Sequence, residues 1–387
     1  MSFDFDREIS RAGTHSVKWD GRAAYFGRED VIPLWVADMD FAAPQAVTEA
    51  LQARAAHPIY GYTQFPDELY VALMSWLQRR HDWQIEREWI VMAPGVVPSL
   101  YAAVAAFSQA GDGVIVQPPV YFPFMSCVTE TGRKLIENPL KLERGRYSFD
   151  LEHFEQCAAQ GVRLLLLCSP HNPVGRVWSA QELHELLAIA RRYDVLVLSD
   201  EIHADLLYPG NQHIPLARLQ GASDNVITTV APSKTFNIPG LGLSALIVPN
   251  PAHRAAINKA FGLLHVSPAN PFSITAFIAS YNGGEPWLDA LMAYLATTRD
   301  AVREFLQTRL PQIQLIEAEG TYMLWLDCRK LAMSDKQLKE FFVLKAGVGL
   351  SPGIVFGEVG SGFMRMNIAA PRKVIMHALE RIADSLD

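Results

Sequence analysis

Short apolar runs alternate with helical patterns through the middle of the chain. Residues 113–117, 162–168, 195–199, 226–230 and 243–248 are rich in branched side chains and apolar on both faces. Strands covered on both sides of a sheet have this pattern. Between some of them lie helical segments. Residues 98–109 are Ala-rich and stop at Gly111. Ser179-Ala180-Gln181-Glu182 is a capping box, with serine at the N-cap and glutamate three residues on. Leu183, Leu186, Leu187 and Ala190 then continue along one helical face. Strand, helix, strand at this spacing predicts an α/β fold with a mostly parallel sheet.

After Tyr281 the pattern changes. Asn282-Gly283-Gly284 is a break, and a long helical pattern runs from Pro286 to about Leu310. Strand-like 314–318 and 322–326 follow, then a helix over 335–345, a strand over 363–368 and a final helix. This predicts a small α+β domain over 285–387 beside a large domain over 46–284. Residues 1–45 contain Pro33 and Pro44 and show little periodicity. They are expected to form an arm packing on the small domain.

Composition narrows the function. The 387 residues are 50% hydrophobic and 19% charged, which is globular. Lys+Arg 34 against Asp+Glu 41 gives −7, so there is no electrostatic footprint for nucleic acid or an anionic membrane. Cys127, Cys157, Cys168 and Cys328 form no C-x-x-C pair, which points to buried thiols in a reducing compartment. The acidic start, Met1-Ser2-Phe3-Asp4, lacks an apolar signal core. No stretch approaches the ~18 apolar residues of a membrane span. A cytoplasmic protein is expected.

Several motifs fail on context. Leu196 to Glu201 looks like a Walker B strand, but no G-x-x-x-x-G-K-[ST] loop accompanies it. Gly240-Leu241-Gly242-Leu243-Ser244-Ala245 fits the dinucleotide fingerprint by letter, yet it follows a loop and leads into a strand. His184-Glu185 begins a zincin motif whose second histidine is absent. No metal site is expected.

What survives falls at strand ends, where open α/β sheets bind ligands. Asp200 ends the 195–199 run; it either caps a following helix or pairs with a protonated heteroaromatic nitrogen. Lys234 lies directly after the next strand; it is either a solvated charge or the Schiff-base lysine of a pyridoxal phosphate enzyme. Asn172, in Ser169-Pro170-His171-Asn172-Pro173-Val174-Gly175, sits in a plain turn or bonds a cofactor's phenolic oxygen. Gly95, in Ala93-Pro94-Gly95-Val96-Val97-Pro98-Ser99, opens a helix whose N-terminus suits a phosphate. Arg365, inside the apolar strand 363–368, needs a carboxylate, from a salt bridge or from a substrate.

The order of these features resembles the fold-type I pyridoxal phosphate enzymes of the aminotransferase superfamily over nearly the whole chain. The likeness is strongest to the MalY/PatB-type carbon–sulfur β-lyases, including cystathionine β-lyases. The matching stretches are Trp35-Val36-Ala37-Asp38-Met39-Asp40-Phe41, Tyr60-Gly61-Tyr62, the 169–175 loop, Ser199-Asp200-Glu201-Ile202-His203, Ser233-Lys234-Thr235-Phe236-Asn237-Ile238-Pro239-Gly240, and Phe363-Met364-Arg365-Met366-Asn367.

The resemblance implies the fold-type I architecture, a large mostly parallel-sheet domain with helices on both faces plus the small α+β domain. It implies that Lys234 forms the Schiff base, Asp200 pairs with the pyridinium and Asn172 contacts the phenolic oxygen and the substrate side. Tyr121 stacks on the ring and shares in catalysis, and Gly95, Val96 and Ser233 lie by the phosphate. Tyr62 reaches the neighbouring subunit's phosphate, which implies a homodimer with shared active sites. Arg365 holds the substrate carboxylate, with backbone near Ala37 closing the site.

Three positions depart from the broad aminotransferase pattern. His203 stands where transaminases usually carry tyrosine, Ala231 where a phosphate-binding serine is common, and Gly242 where many have an arginine. His203 is shared with the β-lyases. The expected reaction is β-elimination from cystathionine or a related S-substituted L-cysteine to thiol, pyruvate and ammonia. Transamination uses the same residues, and a regulatory protein retaining the enzyme fold is the third reading.

Overall fold

The computed structural model describes residues 3–222, 225–263, 265, 267 and 269–386. Its main sheet has seven strands: β1 (Ile90–Ala93), β2 (Gly113–Val116), β3 (Lys134–Glu137), β4 (Leu164–Cys168), β5 (Leu196–Asp200), β6 (Val226–Val230) and β7 (Ser244–Ile247). They lie in the order β1-β7-β6-β5-β4-β2-β3. Every residue of β4, β5 and β6 is buried, the polar Ser199, Asp200, Thr228 and Thr229 included. Alternate residues serve opposite faces. Leu165, Leu167 and Val197 pack with Leu183, Leu186 and Leu187 of the helix Ala180–Arg192. Leu164, Leu166, Leu196 and Leu198 pack with Leu100 and Val104 of the helix Val96–Phe107 and with Ile257.

The sheet is parallel except at β7, which runs antiparallel to both β1 and β6. The register pairs Cys168 with Asp200, and Asp200 with Thr229. The loops leaving β4, β5 and β6 therefore emerge side by side.

The capping box forms as read: Glu182 N–H donates to Ser179 Oγ at 3.3 Å and Ser179 N–H to Glu182 Oε2 at 2.9 Å. The helix expected from residue 98 begins at Val96, because the chain turns into it directly after Gly95.

A second, antiparallel sheet holds β8 (Gln314–Leu315), β9 (Met323–Asp327), β10 (Ser351–Pro352) and β11 (Phe363–Asn367), in the order β8-β9-β11-β10. The helices Glu285–Arg309 and Arg372–Asp384 pack together in the same half. The strand expected over 314–318 shortens to two residues. The helix expected over 335–345 is α-helical only to Glu340, then widens into a π turn over Phe341–Lys345. Near the N-terminus, Ile32–Pro33 pairs in parallel with Val348–Gly349, and Phe26 packs with Val31 and Val343. All four cysteines are free and buried. Among the described residues no helix is long and apolar enough to cross a membrane, and no cluster of His, Cys, Asp and Glu is suited to a metal ion.

Candidate active site

The chain leaves β6 through Ala231 into a one-turn helix, Pro232–Thr235, with proline in its first turn. This turn lifts Ser233 and Lys234 beside Asp200 at the end of β5. The β4 loop adds Asn172, and Gly95 with Val96 starts a helix on the far side. Together they enclose a cavity of about 220 Å³. Its lining includes Ala37, Gly95, Val96, Tyr121, Asn172, Asp200, His203, Ser233 and Lys234. Nine residues singled out in the sequence thus meet at one place.

Two others stand apart. Arg365 comes from β11 and reaches the wall behind Asn172, donating from Nη1 to Asn172 Oδ1 at 3.2 Å. Tyr62 lies on an irregular stretch, fully exposed and outside its own chain's cavity.

The electrostatics are unusual. Asp200 is buried and accepts the Ile202 N–H at 3.1 Å in a turn, so it caps no helix. No cation pairs with it among the described residues. Burial pushes its carboxyl up to about 7. Arg365 is 5% exposed and has no carboxylate partner among the described residues. It donates instead to the Trp35 carbonyl at 2.7 Å and Ser351 Oγ at 3.3 Å, stacks over Phe356 at 4.8 Å, and leaves Nε unbonded. Among the described residues, the salt bridge that would have explained it does not form. Burial brings its guanidinium down to about 10.

Lys234 Nζ donates to the Ala37 carbonyl at 2.6 Å. Desolvation brings its amine down to about 8, with Arg365 adding to that and Asp38 and Asp200 opposing it. His203 is buried with Nδ1 unbonded, and burial holds it neutral, at about 3. Its ring meets Tyr322 edge-on at 6.3 Å.

These residues fit pyridoxal phosphate. A buried carboxylate without a cation suits a ring N–H⁺, which would return it to its ionised form. A lysine with a lowered pKa suits Schiff-base formation. The first-turn N–H groups after Gly95, with Ser233, suit a phosphate.

Sequence reading missed a second group of residues. Tyr322 Oη donates to the same Ala37 carbonyl at 3.0 Å. Asn367 Nδ2 donates to the Val36 and Asp38 carbonyls at 2.6 and 2.7 Å, and Asn237 Nδ2 to those of Met39 and Phe41 at 3.0 and 2.8 Å. Both asparagines stood inside the quoted stretches, and Asn367 was a polar residue in an apolar strand. That was the available signal.

A family model, "Aminotransferase class I and II", matches residues 29–382. The chain is 42% identical over 385 residues to cystathionine β-lyase PatB of Bacillus subtilis, covering 99% of this chain and 100% of the relative. Cystalysin from Treponema denticola, whose crystal structure contains pyridoxal 5'-phosphate, superposes with a TM-score of 0.97 at 37% identity, covering 100% and 99% of the two chains. The PLP-bound C–S lyase from Staphylococcus hominis does so with 0.93 at 32%, covering 100% and 98%.

Proposed function

The chain belongs to the class I and II aminotransferase family, and from that premise we propose a pyridoxal-phosphate-dependent carbon–sulfur β-lyase. It converts cystathionine or a related S-substituted L-cysteine, with water, to a thiol, pyruvate and ammonia. The observation that carries the amino-acid side is Arg365, a buried guanidinium with no carboxylate partner among the described residues, bonded to Asn172 in the lining of the cavity that also holds Lys234. Likeness to a carbon–sulfur lyase and a cystathionine β-lyase carries the reaction.

Arg365 offers a planar fork to the substrate carboxylate, and Asn172 orients that fork. The bound cofactor supplies the electron sink for the α-carbon's electrons. Asp200 keeps the proton on the ring nitrogen through a charge-assisted hydrogen bond worth roughly 1.5–3 kcal/mol. Tyr121 covers one wall. Lys234, neutral once free, takes the α-proton at Nζ. A thiolate leaving group on Cβ departs without a strong acid, so the remaining demand on the protein is room beyond Cβ.

The same reading includes a homodimer in which Tyr62 completes the partner's phosphate site. Four buried free thiols support a reducing compartment such as the cytoplasm.

The test is product analysis on cystathionine with no keto acid added. Pyruvate and thiol are expected at equal rates. Turnover of alanine or an aromatic amino acid only when a keto acid is supplied, with cystathionine untouched, would replace elimination by transamination.

A further inference from the structure

The stretch 35–41 has no strand of its own and puts Ala37 into the lining of the cavity. Five consecutive carbonyls in it are held by side chains. Trp35 O accepts from Arg365 and Ser351, Val36 O from Asn367, and Ala37 O from Lys234 and Tyr322. Asp38 O accepts from Asn367 and Lys18, and Met39 O from Asn237 and Arg11. Two of these donors, Lys234 and Arg365, are the ones the proposed chemistry turns toward cofactor and substrate. During turnover the stretch must keep its place with less help from them.

An ion cluster supplies that help. Arg11 forks onto Asp38, Nη1 to Oδ1 at 2.9 Å and Nη2 to Oδ2 at 2.7 Å, and also bonds Asp40 Oδ1 at 2.8 Å. Lys18, fully buried, meets Asp40 Oδ2 at 2.7 Å, and Trp19 Nε1 donates to Asp40 Oδ1 at 3.0 Å. Two cations thus face two carboxylates. The Lys18–Asp40 pair is buried, and a pair of this kind contributes little net stability, yet removing one partner leaves an uncompensated charge. Asp38 is also an anion that acts on Lys234.

We propose that Arg11 and Lys18 are positioning residues of the active site. Through Asp38 and Asp40 they fix the register of 35–41, so that the Trp35 and Ala37 carbonyls stay in place when Arg365 and Lys234 change partners. The segment that carries Arg11, Lys18 and Trp19 is then part of the catalytic unit. The inference rests on the proposed roles of Lys234 and Arg365, but not on which reaction follows.

The test uses the holoenzyme and 2-aminoisobutyrate, an amino acid with no α-hydrogen, so neither elimination nor transamination through that hydrogen can follow. Its affinity is read from the change in the cofactor's visible band, and the pH midpoint of that band is titrated separately. Arg11→Met is expected to bind 2-aminoisobutyrate about tenfold more weakly, because a shifted carbonyl register misplaces the carboxylate pocket. Its midpoint is expected to move up. The charged groups acting on Lys234 are Asp38, Arg365 and Asp200, and losing Arg11 leaves Asp38 less compensated, which favours a protonated nitrogen. Arg11→Lys, which keeps the charge but not the fork, should fall between. Wild-type affinity and midpoint in Arg11→Met would overturn the proposal. Should Arg11→Met not fold, Arg11→Lys decides: weaker binding supports the proposal, and unchanged binding with an unmoved midpoint overturns it. Elimination failing on cystathionine would leave both readouts intact, so the two ideas fail separately.

Discussion

Arg365 Nη1 donates to Asn172 Oδ1 at 3.2 Å, and this bond ties strand β11 of the small sheet to the loop after β4 of the main sheet. The residue proposed to hold the substrate's carboxylate is therefore positioned by one proposed to touch the cofactor. Movement between the two sheets would be felt at both.

Arg365→Lys tests the fork. Lysine keeps a charge but cannot bond Asn172 and fork onto a carboxylate together. Losing one charge-assisted bond of roughly 1.5–3 kcal/mol raises KM about 10- to 150-fold. Steady-state kinetics with cystathionine should show the change mainly in KM, since the proton-transfer groups are untouched. A KM within about twofold of wild type would remove Arg365 from the carboxylate site.

Lys234 gives a pH dependence with a definite sign. Only its neutral amine can attack the cofactor's aldehyde, and desolvation brings its pKa down to about 8, against about 10.4 for an ordinary lysine. The rate at which apoprotein mixed with pyridoxal phosphate develops its visible band should rise about tenfold per pH unit below 8 and flatten above it. Stopped-flow absorbance between pH 6.5 and 9.5, values chosen as about 1.5 units either side of the midpoint, measures this. A climb that continues through the whole range would mean an unshifted lysine.

The centre of the large sheet was legible because strands buried on both faces are mostly apolar: β4 is so at every position, and β5 and β6 depart from it only at Ser199, Asp200, Thr228 and Thr229. The direction of β7 was not legible, because an apolar run reads the same either way. Lys234, Asp200 and Asn172 could be found from their places after consecutive strands. Tyr322 and the grip on 35–41 could not: the hydrogen bond from Tyr322 spans 285 residues and that from Asn367 to Val36 spans 331. No local pattern records such contacts.

Asp205 offers a stability test beside the site. It is buried and accepts from Trp76 Nε1 at 3.1 Å, His81 Nε2 at 2.8 Å and Thr235 Oγ1 at 2.8 Å, the last adjoining Lys234. Asp205→Ala leaves three buried partners unsatisfied and should cost about 3–5 kcal/mol. The urea midpoint at matched cofactor concentration reads this. A loss under about 1 kcal/mol would mean that water replaces the carboxylate freely.

Tyr62 tests assembly. Its side chain is fully exposed in the single chain and touches none of that chain's cavity, and Ile59 and Tyr60 beside it are exposed too. An exposed apolar stretch of this kind suits a subunit interface. If each site combines Lys234 of one chain with the partner's Tyr62, two different defects can be separated. Lys234→Ala and Tyr62→Phe chains, each weak alone, form hybrid dimers in which one site receives both intact residues and the other neither. Random exchange makes about half of the dimers hybrid, so the mixture should recover about one quarter of wild-type activity per site, as expected of a closed two-fold dimer. Light scattering should give twice the chain mass. A monomer with full activity, or a mixture no more active than the mean of its parts, would show that Tyr62 serves no site across an interface.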